Sequence, residues 1–271
     1  MKQDYSILMT VYKNDDPGYL ALAINSMLSQ TVKCDEFVIV CDGPLRESLD
    51  NVLDDYKKKQ PDLFSIHYLP KNVGLGSALQ YGVLKCKNRF IARMDSDDLS
   101  EPSRCEKELK MFEKNDNLAL VGTFAYEFEN DLTENLIYKK GPSSYDEIIR
   151  YSKKRNPFNH SSVMFKKEPV INVGNYSDMR TNQDVELWVR LINNGYYCLN
   201  IPEPLIYFRY NMSTFSKRKN WKNTKLLMKV WRGFWKKRYC SYFDYLYVVF
   251  RQMAIFLTPT FVLKRIYKRF R

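Results

Sequence analysis

The chain has 271 residues, of which 45% are hydrophobic and 15% aromatic, a composition typical of a folded globular protein. This length is enough for one large α/β domain, or for one domain with an appendage. The six cysteines form no CxxC pair and there are only two histidines. These counts argue against a zinc site or a disulfide scaffold and are typical of a protein in a reducing cytoplasm.

The net charge of +12 is distributed unevenly along the chain. Residues 217–271 contain 16 of the 43 lysines and arginines but only one of the 31 acidic residues, Asp244, so this segment carries a net charge of +15. The residues before it carry a net charge of −3. This asymmetry predicts a boundary near residue 215, between a catalytic domain at 1–215 and a C-terminal extension at 216–271.

The first third of the chain alternates predicted strands and helices. Strands are predicted at 6–12, 36–43, 64–70 and 89–94. Helices are predicted from Pro17, with Leu20, Ile24 and Met27 at helical spacing, and over 46–59 and 76–86. Apolar strands without polar alternation, separated by helices, predict a parallel sheet that is covered on both faces.

Polar residues follow all four predicted strands. They are Thr10-Val11-Tyr12, Asp42-Gly43, Asn72-Val73-Gly74 and Asp95-Ser96-Asp97-Asp98. Each segment alone is typical of a solvated turn. Because the carboxyl ends of parallel strands meet at one edge of a sheet, we expect all four segments to line a single crevice.

The acidic segment is the most informative of the four. Asp95 and Asp97 stand at i and i+2, directly after an apolar strand. Paired carboxylates in a crevice are suited to Mg²⁺ or Mn²⁺, which such sites share with substrate phosphates. We expect Asp98 to turn outward and support the loop before Pro102.

Several motifs, in this order, resemble the family-2 glycosyltransferases with the GT-A fold: SILMTVY (6–12), VIVCDG (38–43), NVGLGSALQYGV (72–83) and FIARMDSDD (90–98). Residues 156–176 and 181–191 resemble the acceptor-side and base-bearing segments of transferases that build bacterial capsule, exopolysaccharide and lipopolysaccharide. The resemblance implies a Rossmann-like α/β fold, with a mostly parallel sheet flanked by helices and a C-terminal helical extension rich in basic and aromatic residues.

The resemblance also implies roles for particular residues. Those implied to bind the nucleotide sugar are Thr10, Val11, Tyr12, Asp15, Asp42, Asn72, Gly74, Arg93, Asp95 and Ser96. Asp97, together with Asp95, is implied to hold Mn²⁺ or Mg²⁺. Asp184 matches the catalytic base, and the resemblance implies that His160 and Trp188 lie near the acceptor or the diphosphate. The alternative for His160 is a structural histidine that is hydrogen-bonded to loop backbone. The sequence departs from the family pattern at Cys41, where many relatives have Asp, and at Gln183, where Glu is usual.

The implied reaction is a metal-dependent, inverting transfer of a sugar from a nucleotide-diphosphate donor, with UDP favoured, to a glycan acceptor carried on a polyprenyl diphosphate. Asp184 falls in the first turn of a predicted helix, where the helix dipole lowers the pKa of a carboxyl group. A general base needs a pKa nearer to the working pH, so burial has to oppose the dipole at this position.

The C-terminal extension places Trp221, Trp231 and Trp235 among lysines and arginines. Its apolar run at 253–263 is interrupted by Pro259 and is shorter than the roughly 20 residues that a membrane-spanning helix needs. The pattern favours peripheral attachment to anionic lipid at the cytoplasmic face of the cell membrane. The alternative is that these helices only cap the catalytic domain.

Two other classes of protein remain open at this point. A sugar-nucleotide pyrophosphorylase needs a similar sheet and metal, but its Gly-rich, Arg-bearing loop is absent after the first predicted strand. A basic module that binds nucleic acid or membrane would explain the extension and would leave the acidic crevice without a purpose. We therefore expect an enzyme with no nucleic-acid partner.

Overall fold

A computed structural model describes residues 4–129, 132, 136–210, 220–259 and 262–263. The first part consists of β1 (Tyr5–Val11), α1 (Pro17–Leu28), β2 (Glu36–Cys41), α2 (Glu47–Lys59), β3 (Phe64–Tyr68), α3 (Leu75–Lys85) and β4 (Phe90–Met94). This succession confirms the predicted alternation of strand and helix. The predicted bounds differ from those of the structure by at most two residues.

The second part is less regular. It consists of β5 (Leu99–Ser100), α4 (Arg104–Lys114), β6 (Leu118–Phe128), β7 (Ile137–Lys139), α5 (Tyr145–Ser152), β8 (Met164–Lys166), α6 (Lys167–Asn172), α7 (Gln183–Asn193), β9 (Tyr197–Arg209), α8 (Trp221–Lys236) and α9 (Tyr242–Leu257). A short 3-10 turn at His160–Ser162 precedes β8.

The described strands form one sheet in the order β3-β2-β1-β4-β8-β6-β9-β5, with β7 added to β6. The pairs among β1 to β4 are parallel, as predicted. Beyond β4 the sheet is mixed, because β8 runs antiparallel to both β4 and β6 while β9 runs parallel to β6. The expected mostly parallel sheet therefore holds for the first half of the fold, and the complete sheet is an α/β sheet of mixed direction.

Burial on both faces explains the apolar strands. Alternate residues of β1, such as Ile7 and Met9, face a core formed with α1, α2 and α4. Leu8 faces the opposite core, which α3 and α7 help to close. Successive residues of a strand point to opposite faces, so a strand covered on both sides has to be apolar throughout.

The C-terminal helices α8 and α9 pack on the catalytic part of the chain. Val230, Trp231 and Phe234 of α8 form a buried cluster with Val185 and Val189 of α7. The indole nitrogen of Trp231 also donates a hydrogen bond to the carbonyl oxygen of Lys153 at 2.9 Å. The hairpin of α8 and α9 thus closes over the helix that carries Asp184.

Part of the predicted extension, at 216–219, 260–261 and 264–271, lies outside the described residues. Within the part of the chain that is described, no helix combines the length and apolar character needed to cross a bilayer.

Replacing Trp231 by Ala should lower the free energy of unfolding by about 3–5 kcal/mol, because the indole is buried and hydrogen-bonded. Urea denaturation followed by circular dichroism measures this loss. Trp221→Ala is the matched control, because Trp221 is 41% exposed. Equal losses in the two variants would contradict the packing of α8 on the catalytic part.

Candidate functional site at the strand ends

The four strand ends meet, as the topology predicts. The backbone nitrogen of Asp42, after β2, donates to the carbonyl oxygen of Val11 at the end of β1, at 2.7 Å. The hydroxyl of Ser96, after β4, donates to the carboxylate of Asp15 at 2.9 Å. The carboxylate of Asp42 accepts from the backbone nitrogen of Val73 at 2.6 Å, which joins the loop after β3 to the same edge.

Asp42 organises the loop between β3 and α3. Its carboxylate also accepts from the backbone nitrogen of Gly74 at 3.0 Å and from the side-chain amide of Asn72 at 2.8 Å. Gly74 has a φ of +96°, and a Cβ there would lie 2.8 Å from Cγ of Arg180. Arg180 in turn donates to the Asn72 amide oxygen at 2.7 Å. Glycine thus permits both the turn and the approach of the Arg180 side chain.

The carboxylates after β4 form a compact acidic cluster. Asp95, Asp97 and Asp98 each offer an oxygen atom, and these atoms lie within 4.8 Å of one another. Burial, with the charge of Asp95, raises the pKa of Asp97 to about 6. Burial also raises the pKa of Asp15 to about 6. Carboxylates held this close to each other with little water favour a cation between them.

Asp98 lies on the inner side of this cluster, so the expectation that it turns outward is wrong. It is fully buried, and its carboxylate accepts from the backbone nitrogen of Arg209 at 2.8 Å. The Arg209 guanidinium donates to the carbonyl oxygen of Asp97 at 2.9 Å. The reason is the pairing of Leu99 in β5 with Tyr207 in β9, which draws the acidic loop under β9.

Arg93 is the buried cation of the site, with 1% of its surface exposed. It lies on β4 and forms an ion pair with Asp95. Its charge also acts on the carboxyl groups of Asp98 and Asp184. Its Nε and Nη1 atoms have no hydrogen-bond partner among the described residues.

Asp184 is the second residue of α7, as the helical pattern predicted. Its carboxylate accepts from the side-chain amide of Asn156 at 2.6 Å. Burial raises its pKa, while the backbone nitrogen of Val185, the Asn156 amide and Arg93 oppose the rise. Burial therefore outweighs the helix dipole, which is the condition that the sequence set for a general base.

His160 and Trp188 lie together on one wall of the site. Nε2 of His160 lies 3.0 Å from the Tyr176 hydroxyl, and burial together with the nearby Arg93 keeps the pKa of His160 well below its usual value. His160 is therefore neutral at pH 7. Trp188 has none of its surface exposed and packs beneath the His160, Phe158 and Tyr176 rings. Its proximity to the acceptor or the diphosphate stays a prediction, and in this arrangement it packs against the His160 ring.

The remaining predicted residues lie at or under the crevice. Tyr12 is 36% exposed and its backbone nitrogen donates to Asp15 at 3.1 Å, while Thr10 is half-buried. Val11 is 1% exposed, so its side chain belongs to the core and only its carbonyl oxygen joins the strand ends. Cys41 and Gln183, the two departures from the family pattern, are both buried.

Sequence reasoning missed Asn156, Tyr176, Arg180 and Arg209, which contact the site from distant parts of the chain. Asn156 and Tyr176 are the first and last residues of the segment 156–176 that resembles the family. That resemblance was the signal that could have identified them. Arg209 follows Asp97 by more than a hundred residues, and only the sheet order brings the two together.

The comparisons with known proteins agree with this geometry. Residues 6–173 match the family described as glycosyl transferase family 2. The chain is 32% identical over 270 residues to the Escherichia coli UDP-Gal:alpha-D-GlcNAc-diphosphoundecaprenol beta-1,3-galactosyltransferase, covering 98% of this chain and 97% of that one. It is 34% identical to the amylovoran biosynthesis glycosyltransferase AmsE of Erwinia amylovora, covering 84% of each chain.

A solved structure supports the fold. The mannosyltransferase PcManGT from Pyrobaculum calidifontis, in complex with GDP-Man and Mn²⁺, superposes with a TM-score of 0.67 and 12% identity, covering 95% of this chain and 71% of that chain. At this identity the likeness concerns the fold alone. The family match and the full-length relatives go further, and they establish that the chain is a glycosyltransferase belonging to glycosyl transferase family 2.

Proposed function

We propose that this protein transfers a sugar from a nucleoside-diphosphate donor to a hydroxyl group of a lipid-linked glycan acceptor, with inversion at the anomeric carbon, in the synthesis of a cell-surface polysaccharide. The observation that carries the proposal is the compact cluster of Asp95, Asp97 and Asp98 at the edge where the strand ends meet. Asp184, whose carboxylate is held by Asn156, supplies a separate carboxylate for proton transfer.

The donor assignment rests on the crevice and on one relative. Asp42, Asn72 and Gly74 form a loop of buried and half-exposed polar groups next to Tyr12 and Asp15, which suits a nucleoside. The Escherichia coli relative is named for UDP-Gal, which favours UDP as the nucleotide. The diphosphoundecaprenol in its name favours a lipid-linked acceptor. The name of AmsE, an amylovoran biosynthesis glycosyltransferase, favours a role in polysaccharide synthesis.

The acidic cluster fits a divalent cation of the Mn²⁺ or Mg²⁺ type. Asp95 and Asp97 would be its ligands, and the second carboxylate oxygen of Asp98 has no hydrogen-bond partner among the described residues. When bound, such a cation neutralises the charge that develops on the departing diphosphate. Arg93 adds a permanent positive charge next to Asp95.

The reaction is a single displacement at C1 of the donor sugar. Asp184 accepts the proton of the acceptor hydroxyl while the oxygen forms its bond to C1. The bond between C1 and the diphosphate oxygen breaks on the opposite face, and the diphosphate leaves with the electron pair. Asn156 orients the Asp184 carboxylate, and one displacement inverts the anomeric configuration.

Family membership favours this reaction over the pyrophosphorylase alternative. A pyrophosphorylase joins a nucleotide to a sugar phosphate, so it has no use for a base aimed at an acceptor hydroxyl. Release of free nucleoside diphosphate that depends on added acceptor separates the two activities.

The hairpin of α8 and α9 supports attachment to the cytoplasmic face of the cell membrane. Phe243, Phe250 and Leu257 recur every seven residues on α9 and are 80%, 69% and 69% exposed. The exposed basic residues of α8 are Lys222, Lys225, Lys229, Arg232 and Lys236. Exposed aromatic and aliphatic side chains beside a cationic surface are typical of helices that lie in an anionic bilayer interface.

Asp184→Asn should lower the rate of sugar transfer by roughly 10²–10⁴-fold, because the amide cannot accept the hydroxyl proton. Binding of UDP in the presence of Mn²⁺ should be unchanged, since Asp184 lies on the acceptor side. Transfer kinetics and calorimetric titration measure the two effects, with the exposed Asp178→Asn as control. Normal turnover by Asp184→Asn would rule out its role as the base.

Asn156→Ala should move the acidic limb of the pH–rate profile to higher pH. The Asn156 hydrogen bond lowers the pKa of Asp184, and its loss raises that pKa further. Because the base works only when deprotonated, activity then appears at a higher pH than in the unaltered protein. Asn159→Ala, which removes a neighbouring amide that does not contact Asp184, should leave the limb in place. An unshifted limb in Asn156→Ala would assign it to another group.

Asp97→Asn should weaken the Mn²⁺-dependent part of UDP binding by about tenfold or more, because the cluster loses one carboxylate ligand. Titration of UDP at increasing Mn²⁺ concentrations measures this dependence without requiring turnover. Asp55→Asn on the exposed surface of α2 is the control. If the Mn²⁺ requirement is the same in Asp97→Asn as in the unaltered protein, Asp97 is not a ligand.

The double variant Phe243→Ser/Phe250→Ser should reduce flotation with phosphatidylglycerol vesicles by about tenfold, because two exposed rings no longer enter the interface. The matched control is Leu22→Ser/Leu84→Ser, which removes two similarly exposed apolar residues elsewhere. Point variants are preferred to a truncation at residue 215, since α8 covers Val185 and Val189. Equal flotation of the two double variants would mean that α9 is not the attachment surface.

A further inference from the structure

Asp184 also lines a space to which none of the four strand-end segments contributes a residue. A cavity of about 940 Å³ lies between β6, α7 and the hairpin of α8 and α9. Asp184 and Asn156 line it from the catalytic side, and Trp231, Arg251 and Ile255 line it from the hairpin. An acceptor hydroxyl that approaches Asp184 from this space would therefore pass the C-terminal helices.

A neighbouring groove of about 790 Å³ continues this cavity toward the surface. The two spaces share Phe124, Lys140, Gly141, Pro142, Tyr151 and Arg155, and the groove is also lined by Lys154 and Tyr247. Arg155 is thus one of the residues past which a ligand would move from the groove into the cavity. Together the two spaces have room for a sugar with an extended substituent.

Two arginines from separate elements face each other at this passage. Arg155 follows α5 and hydrogen-bonds the hydroxyls of Tyr151 and Tyr247. Arg251 lies on α9 with its guanidinium carbon 5.9 Å from the centre of the Tyr247 ring. Burial and the charge of Arg155 lower the pKa of Arg251, so the two guanidinium groups repel each other.

These two charges are not neutralised by acidic side chains, unlike others nearby. Lys154 pairs with Asp244 at 3.1 Å, and Lys139 pairs with Glu127 at 2.6 Å. Among the described residues, neither Arg155 nor Arg251 forms an ion pair, and the buried Nε of Arg251 lacks a hydrogen-bond acceptor. Holding two like charges together, one with an unpartnered buried donor, costs stability that a bound anion would offset.

Diphosphate matches this arrangement better than a single carboxylate does. It presents two adjacent anionic groups, and a guanidinium group binds phosphate oxygens through paired, charge-assisted hydrogen bonds. The same α9 helix that brings Arg251 to the cavity carries the exposed Phe243, Phe250 and Leu257 on its outward surface. A ligand with a diphosphate joined to a lipid chain would meet both features at once.

We propose that Arg155 and Arg251 bind the diphosphate of a lipid-linked sugar acceptor and so direct its terminal sugar to Asp184. This assignment rests on the proposed transfer reaction and adds the residues that recognise the acceptor. Arg155 and Arg251 are positioning and specificity residues, and they have no part in the proton transfer. The C-terminal hairpin is then one wall of the acceptor site.

The test uses the full-length protein and farnesyl diphosphate, with EDTA present so that diphosphate does not bind through a divalent cation at the acidic cluster. Isothermal titration compares farnesyl diphosphate with farnesyl monophosphate, farnesol and inorganic pyrophosphate. Farnesyl diphosphate should bind most tightly. Arg155→Gln and Arg251→Gln should each weaken it by about tenfold to a hundredfold, the loss of one charge-assisted contact. Arg251→Lys keeps the positive charge but loses the paired donors of the guanidinium group. Its affinity for farnesyl diphosphate should therefore lie between those of the unaltered protein and Arg251→Gln.

Arg232→Gln is the matched control, because it removes one charge from the exposed surface of α8. An equal loss in Arg232→Gln, or unchanged binding in both Arg155→Gln and Arg251→Gln, would overturn the assignment. If phosphatidylglycerol vesicles compete with farnesyl diphosphate for binding as effectively as inorganic pyrophosphate does, the assignment is also overturned. The arginine pair would then be a site for lipid headgroups. Circular dichroism of each variant confirms that binding is compared between folded proteins.

The outcome separates this proposal from the proposed reaction. Asp184→Asn should bind farnesyl diphosphate as the unaltered protein does while transferring no sugar. If the arginine variants bind normally and transfer still depends on Asp184, the acceptor assignment fails and the reaction stands. If binding depends on the two arginines but Asp184→Asn turns over normally, the reaction fails and the diphosphate site stands.

Discussion

The burial of one guanidinium group, that of Arg93, is the constraint on which the site depends. Asp95, Asp97, Asp98 and Asp184 converge on a region with little water, where like charges repel most strongly. Arg93 forms an ion pair with Asp95 and lowers the pKa of Asp97 and Asp184 against the effect of burial. Arg93 thus favours the deprotonated carboxylates that metal binding and proton acceptance both require.

The second half of the sheet holds the acidic loop in place around Arg93. Arg209, at the end of β9, contacts Asp98 through its backbone nitrogen and Asp97 through its side chain. Arg104, fully buried on α4, donates to the carbonyl oxygens of Arg93 and Val163 at 3.0 and 3.1 Å. Glu108 balances its charge from the next turn of the helix. The acidic loop is therefore held by contacts with strands and helices, which fix the positions of its carboxylates.

The sequence was informative where short-range pattern and topology act together. Apolar strands and intervening helices predicted β1 to β4, and the parallel-sheet rule brought Tyr12, Asp42 and Asp97 to one edge. The helical spacing after Asn182 placed Asp184 in the first turn of α7. Each of these inferences needs only nearest neighbours along the chain, or one general rule of handedness.

The failures concern contacts between distant segments. Asp98 was expected to turn outward and support the loop before Pro102, but the pairing of β5 with β9 buries it. Trp188 follows Asp184 by one helical turn and shares its face, yet the rings of Phe158 and His160 cover it completely. Helical spacing identifies which residues share a face of a helix. It does not show which of those residues the neighbouring elements cover.

The surroundings of Asp184 explain why the extension and the catalytic part belong together. On one side lie Arg93 and Tyr176, which are buried, and His160, which is neutral and bonded to the Tyr176 hydroxyl. On the other side the wall is supplied by α8 and α9, with Trp231 and Arg251 facing the cavity. The positive charge of the extension is distributed in two ways: the basic residues of α8 lie on its exposed surface, whereas Arg251 of α9 lines the cavity together with Arg155 of the catalytic part. Asp184 lines the same cavity, so in the proposed assignment the selection of an acceptor depends on how the hairpin packs against α7.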